Sequence, residues 1–145
     1  MLGEDRFGDF LLAHLRDAGV GTDDVVRTGE ANTALAFVTL DAEGERSFSF
    51  YRPPAADLLF RLQHFRPQAF DGVRVFHVCS NSLTEPEIAA VTLDGMQRAH
   101  RAGALVSFDL NLRPALWSPK RDPLDHVWPV LHLADVVKLS AEELA

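Results

Sequence analysis

Residues 6–18 carry Phe7, Phe10, Leu11 and Leu15 at helical spacing, and Gly19 follows as a C-terminal stop. The spacing predicts a helix there. Two β-rich runs come next, TALAFVTL (33–40) and RSFSFYR (46–52), on either side of the polar DAEGE. Such runs around a Gly-containing turn read as a hairpin. In the second run Arg46, Phe48, Phe50 and Arg52 fall on one face, and a face that mixes aromatics with arginine is not a plain core face. VRVFHVC (73–79) reads as a buried strand. In TEPE (84–87), Thr84 stands as an N-cap with Glu87 three residues on, the capping-box pattern. Ile88, Val91, Met96 and Ala99 then carry a helix to about Ala102, and Gly103 stops it. A strand over 104–110, a helix over 123–133 disturbed by Pro129, a strand over 135–139 and a helix opening at Ser140 complete the pattern.

From residue 73 onward the chain therefore alternates strand and helix. That order predicts right-handed βαβ units and an α/β fold, with a parallel sheet and helices on both of its faces. Ligands of such sheets gather at the carboxyl ends of the strands. SNS (80–82), the segment 109–113 and KLS (138–140) fall at such ends. The runs over 33–52 interrupt the alternation and are expected as a separate β flap, with RPPAADLL (52–59) as the joint. The expected organisation is an α/β core over 1–32 and 53–145 and a β flap over 33–52. No internal repeat or low-complexity segment is present.

Length and charge narrow the function classes. The 145 residues suit one ordinary domain, and 47% hydrophobic with 24% charged residues suits a water-soluble globular protein. A net charge of −7 without a Lys/Arg cluster argues against nucleic acid as a partner and against a polybasic membrane anchor. No apolar run reaches the length of a membrane span, and MLGEDRFGDF is not signal-like. Cys79 is the only cysteine, so no intramolecular disulfide or Cys-rich zinc site is expected, and a reducing cytoplasm fits. The six histidines are scattered, without an HExxH pair. The final KLSAEELA resembles the first turn of a helix, which suggests a longer polypeptide.

The chemistry concentrates in VSFDLNLRPALW (106–117), where a hydrophobic strand runs into Asp109, Asn111 and Arg113 at every second position. On a continuing strand these three share a face. Pro114 pushes Arg113 toward an extended conformation, and a guanidinium at a strand end suits a phosphate or carboxylate. The plainer alternative is a strand-end loop in which Asp and Asn satisfy backbone groups and Arg faces solvent. Ser140 and Glu143 make a capping box in their own right, and Lys138 beside them is either functional or an edge charge. Arg52 with its aromatic neighbours suits the rim of a polar ligand that has carbon faces. GEDRFG (3–8) lacks phosphate-loop spacing, and its glycines fit a turn from a strand into the first helix.

Together these segments resemble the PfkB, or ribokinase-like, carbohydrate kinases. GEDRFGDFLLAHLRDAGVGTDDV (3–25) is similar to a segment that follows the family's early strands, and TALAFVTLDAEGERSFSFYR (33–52) to the β lid that closes over the sugar. DLNLRPALW (109–117) resembles the Asp-x-Asn-x-Arg-x-x-Leu-Trp pattern of its fructokinase and 2-keto-3-deoxygluconate kinase branch. KLSAEEL (138–144) resembles that branch's Asn-x-x-Glu motif, with Ser140 where many members have Asn. FHVCSNSLTE (76–85) leans toward fructokinase.

The resemblance implies part of a ribokinase-like parallel sheet with flanking helices and a small β lid. It implies ATP and Mg²⁺ as cofactors and a small sugar as partner, in the cytoplasm, with pairing of two copies through the lid as a further expectation. By resemblance, Phe50 and Arg52 contact the sugar. Asp109 and Asn111 border the junction of sugar and phosphoryl group, where Arg113 stabilises charge. Lys138, Ser140 and Glu143 organise phosphate and Mg²⁺, with no direct metal ligand among them. The family's sugar-binding Gly-Gly…Asn segment, and the Gly-x-Gly-Asp motif that carries its catalytic base and anion hole, have no counterpart in these 145 residues, so the chain by itself is expected to be inactive. Two alternatives remain: a 2-keto-3-deoxygluconate or nucleoside kinase of the same family, and a non-catalytic remnant that binds sugar or pairs through its lid.

Overall fold

The computed structural model describes residues 1–52 and 54–144. Pro53, within the expected joint, and Ala145 lie outside the described residues. The chain divides into two compact units, Met1–Phe60 and Arg61–Ala145.

In the first unit, β1 (Leu2–Gly3) runs into α1 (Arg6–Asp17) and pairs in parallel with β2 (Arg27–Thr28). Asp5 is the N-cap of α1. One carboxylate oxygen accepts from the Gly8 N–H at 2.8 Å and the other from the Thr33 N–H at 2.7 Å. Thr33 in turn accepts from the Gly3 N–H at 3.0 Å. This approach is close enough to exclude side chains. A Cβ on Gly3 would stand 2.6 Å from the Thr33 nitrogen, and one on Gly8 would run into the Gly3 carbonyl. The glycines of GEDRFG thus join strand to helix, as their spacing suggested. The apolar stripe of α1 is not a core face, however: Phe7, Phe10 and Leu11 are exposed and Gly8 is the helix's buried residue.

The predicted hairpin forms as β3 (Leu35–Leu40) and β4 (Arg46–Tyr51), antiparallel, with Leu35 opposite Tyr51 and Leu40 opposite Arg46. The strands make a sheet of their own. Asp41 closes the turn by accepting from the Glu43 and Glu45 N–H groups, and Gly44 takes the positive φ, 85°, that the turn requires. Phe48 and Phe50 stack on one face; Phe37 and Tyr51 meet edge-on across the other.

The second unit runs β5 (Val75–Cys79), α2 (Pro86–Arg101), β6 (Leu105–Asp109), α3 (Pro123–Leu133), β7 (Val136–Lys138) and α4 (Ala141–Leu144). The strands lie in the order β5-β6-β7, all parallel. Both crossovers step the same way across the sheet. Two crossovers of one hand in one direction put their helices on the same face. Accordingly α2 and α3 touch each other as well as the sheet, over a core that includes Val78, Val106, Phe108, Ile88, Met96 and Val130. On the opposite face Val75, Leu105 and Val136 are about half exposed, and His77 meets Ser107 at 3.1 Å. The expectation of helices on both faces is therefore corrected: among the described residues of this unit, α2 and α3 flank one face.

Thr84 is not the N-cap of α2. Pro86, with fixed φ and no N–H to satisfy, occupies the first turn behind Glu85. Buried Thr84 ends the 3-10 turn Ser80–Leu83 and donates its hydroxyl to the Asn81 carbonyl. Pro129 sits inside α3 without ending it. No helix among the described residues is long and apolar enough to cross a membrane.

Candidate active site

The carboxyl ends of the three parallel strands come into register at Cys79, Asp109 and Lys138. Asp109 and Lys138 are side-by-side partners, so the ammonium reaches the carboxylate at 3.1 Å, near the surface. The Leu110 N–H donates to the Lys138 carbonyl and prolongs the ladder by one bond. There the strand stops. Asn111 has φ of 39°, a left-handed conformation that asparagine tolerates better than most residues. Arg113 follows at φ −124° and ψ 89° and leads into the 3-10 turn Pro114–Leu116. Every-second-residue spacing therefore does not give Asp109, Asn111 and Arg113 a common face, because the alternation ends at Asp109.

What gathers this segment is a set of bonds to neighbouring strand ends. Ser80 donates its hydroxyl to the Asn111 carbonyl at 3.5 Å. The Leu112 N–H donates to Glu143 Oε1 at 2.6 Å. Arg113 donates from Nη1 to the Leu112 carbonyl. The other Glu143 oxygen accepts from the Ser140 N–H at 2.9 Å, and Ser140 Oγ accepts from the Glu143 N–H at 3.2 Å. The Ser140–Glu143 capping box thus forms, and the same glutamate also holds the loop after β6. Burial raises the Glu143 pKa, but the Ser140 and Leu112 N–H groups and the Lys138 charge outweigh it and hold the carboxyl below its ordinary value. Asp109, Lys138, Ser140, Glu143 and the 111–113 backbone stand together at one end of the sheet.

Phe50 and Arg52 belong to the first unit. They line a pocket of about 450 Å³ at the base of the hairpin, with Asn32, Thr33, Leu35, Tyr51 and Pro54. The Arg52 side chain is 8% exposed, and its Nη2 lies 2.6 Å from Asp57 Oδ2. Asp57, in the 3-10 turn Ala56–Leu59, escaped the sequence reading. An acid five residues after an arginine across two prolines has no regular periodicity to expose it. The Leu112 N–H escaped for another reason: a backbone donor leaves no mark in the sequence.

Among the described residues no group of three or more His, Cys, Asp or Glu side chains could hold a metal ion. Both Glu143 oxygens are already engaged by backbone N–H groups.

The sequence profile of the pfkB family carbohydrate kinases matches residues 1–145. Fructokinase-1 of Zea mays is 44% identical over 143 residues, a span of 99% of this chain and 44% of that protein. The structure of fructokinase from Xylella fastidiosa with bound ATP is similar at a TM-score of 0.93 and 61% identity, over 99% of this chain and 45% of that one. A fructokinase from Vibrio cholerae O395, in a form with fructose, ADP and calcium ion bound, matches at a TM-score of 0.88 and 35% identity, over 99% of this chain and 46% of that one. The chain thus spans somewhat less than half the length of these relatives. With a family match over every residue and parallel strands that end in the DLNLRP and KLSAEEL segments, this chain belongs to the pfkB family of carbohydrate kinases.

Proposed function

We propose that the chain forms part of an ATP-dependent kinase that phosphorylates a hydroxyl of a fructose-like sugar. The observation that carries this reading is the likeness, over nearly the whole chain, to a fructokinase that holds fructose and ADP. The alternatives, a 2-keto-3-deoxygluconate or nucleoside kinase and a non-catalytic remnant, are not favoured. In this reading residues 33–52 are a lid on a core of 1–32 and 53–145. Phe50 offers an aromatic face to the sugar, and Arg52 and the polar groups near it bind its hydroxyls. Asp109 and Asn111 border the reacting hydroxyl, and Arg113 stabilises charge on the transferring phosphoryl group. Lys138 and Ser140 organise the phosphate end. Glu143 positions the 111–113 backbone.

In the reaction a carboxylate takes the proton from the sugar hydroxyl, that oxygen bonds to the γ-phosphorus, and the bond to the β-γ bridging oxygen breaks to release ADP. The base belongs to the Gly-x-Gly-Asp motif implied by the resemblance, which these 145 residues do not contain. Mg²⁺, when bound with the nucleotide, would supply neutralising charge at its phosphates, beside Lys138 and Ser140. Pairing of two copies through the apolar hairpin, and a cytoplasmic setting, belong to the same proposal.

The test exchanges this chain for the matching segment of the Xylella fastidiosa fructokinase and couples ADP formation to an optical assay. Fructose-dependent ADP release is the expected result. A folded chimera that hydrolyses or transfers nothing in the presence of fructose rejects the reading.

A further inference from the structure

We infer that Asp57 sets the substrate class of the hairpin pocket: by neutralising Arg52 it selects an uncharged polyol sugar and rejects sugar acids. This deepens the sugar-kinase reading and rests on it. Arg52 is the single charged residue among the seven that line the pocket. A lone guanidinium there would suit a substrate carboxylate. It is not alone, because Arg52 Nε and Nη2 both reach Asp57 Oδ2, at 2.7 and 2.6 Å. Asp57 is fixed in turn by its backbone, since Ala55, Ala56 and Leu58 around it are buried.

The consequence is electrostatic. An incoming carboxylate must either displace Asp57 or settle beside its negative charge, and neither returns the hydration it gives up. A hexose carries no such charge. It needs hydrogen-bonding groups, which Asn32, Thr33 and Arg52 supply, and a flat apolar surface, which Phe50 and Tyr51 supply. A purely structural Asp57 would brace the base of the hairpin without affecting which sugar is chosen.

The experiment measures kcat/KM for fructose and for 2-keto-3-deoxygluconate in the Xylella fastidiosa chimera that carries this chain. The unaltered chimera is expected to favour fructose by about a hundredfold or more. Asp57→Asn should shift the ratio toward the acid by about tenfold or more, mainly by lowering the acid's KM. Asp57→Glu should keep the original preference. A folded, active Asp57→Asn chimera with an unchanged ratio overturns the inference. So does an unaltered chimera that uses the acid as well as fructose, an outcome that needs no variant to fold. A chimera that phosphorylates neither sugar removes the sugar-kinase reading and this inference with it, a pattern distinct from an active enzyme of unaltered selectivity.

Discussion

Each oxygen of the Glu143 carboxylate takes one backbone N–H, Leu112 on one side and Ser140 on the other. Capping losses of this kind cost about 1 kcal/mol, so Glu143→Ala should lower stability by about that much at most and loosen the loop after β6. The loosening is read as faster hydrogen exchange at the Leu112 amide. Acid should do the same. The folded pKa of Glu143 is held below its ordinary value of 4.5, so its contribution is complete above that value and is lost as pH falls through the folded pKa. Exchange at Leu112, corrected for intrinsic rate, should quicken only as pH falls below the ordinary carboxylate value of 4.5. In Glu143→Gln that step should vanish, and a step that persists would assign the effect to another group. Arg113 carries the chemical prediction. In the active chimera Arg113→Ala should lower kcat by about 10²–10³ with a smaller change in the KM for sugar, the pattern of a group that acts on the transition state. Near-normal turnover would remove Arg113 from that role.

At the scale of elements, the join of β1, α1 and Thr33 is set by atoms that glycine leaves out. Gly8→Ala forces a methyl against the Gly3 carbonyl and should cost about 1–3 kcal/mol, read as a lower urea midpoint by circular dichroism. Most elements were legible because their periodicity is strong: the helix over 6–17, the hairpin, and the alternation after residue 73 fall within a residue or two of their expected bounds. What periodicity could not show was surroundings. Phe7, Phe10 and Leu11 have helical spacing whether or not anything covers them, and here they are exposed. Alternation in β5 and β6 says that two faces differ, not how many helices each receives. The site was legible as a place, the carboxyl ends of parallel strands, but not as a geometry. The left-handed Asn111 breaks the rule of two that joined Asp109 to Arg113, and the Arg52–Asp57 pair follows no period at all.

At the scale of the whole chain, large apolar side chains stand exposed in both units among the described residues. Val75, Leu105 and Val136 lie on the uncovered face of the parallel sheet, Phe7 and Phe10 on α1, and Phe37, Leu40 and Tyr51 on the hairpin. Surfaces of this kind, together with unpaired strand edges, favour association. The 145-residue polypeptide made by itself should therefore elute in size-exclusion chromatography above its monomer mass of 16.1 kDa. It should also fail to phosphorylate fructose. Transfer needs a base aligned on the hydroxyl, a held γ-phosphoryl group and an anion hole, and because they act as a unit on one transition state, the loss of any one removes most of the rate. These residues offer a pocket at Arg52 and a charged pair, Asp109 and Lys138, at the strand ends, but no Gly-x-Gly-Asp to supply base and anion hole. A coupled assay for ADP with fructose and Mg·ATP decides the point. Background rates from the isolated chain, beside fructose-dependent turnover from the chimera, are the expected pair. Turnover at an ordinary kinase rate from an isolated, monomeric chain would mean that one of its own carboxylates serves as the base, and Asp109, already at the carboxyl end of β6, would be the first to replace.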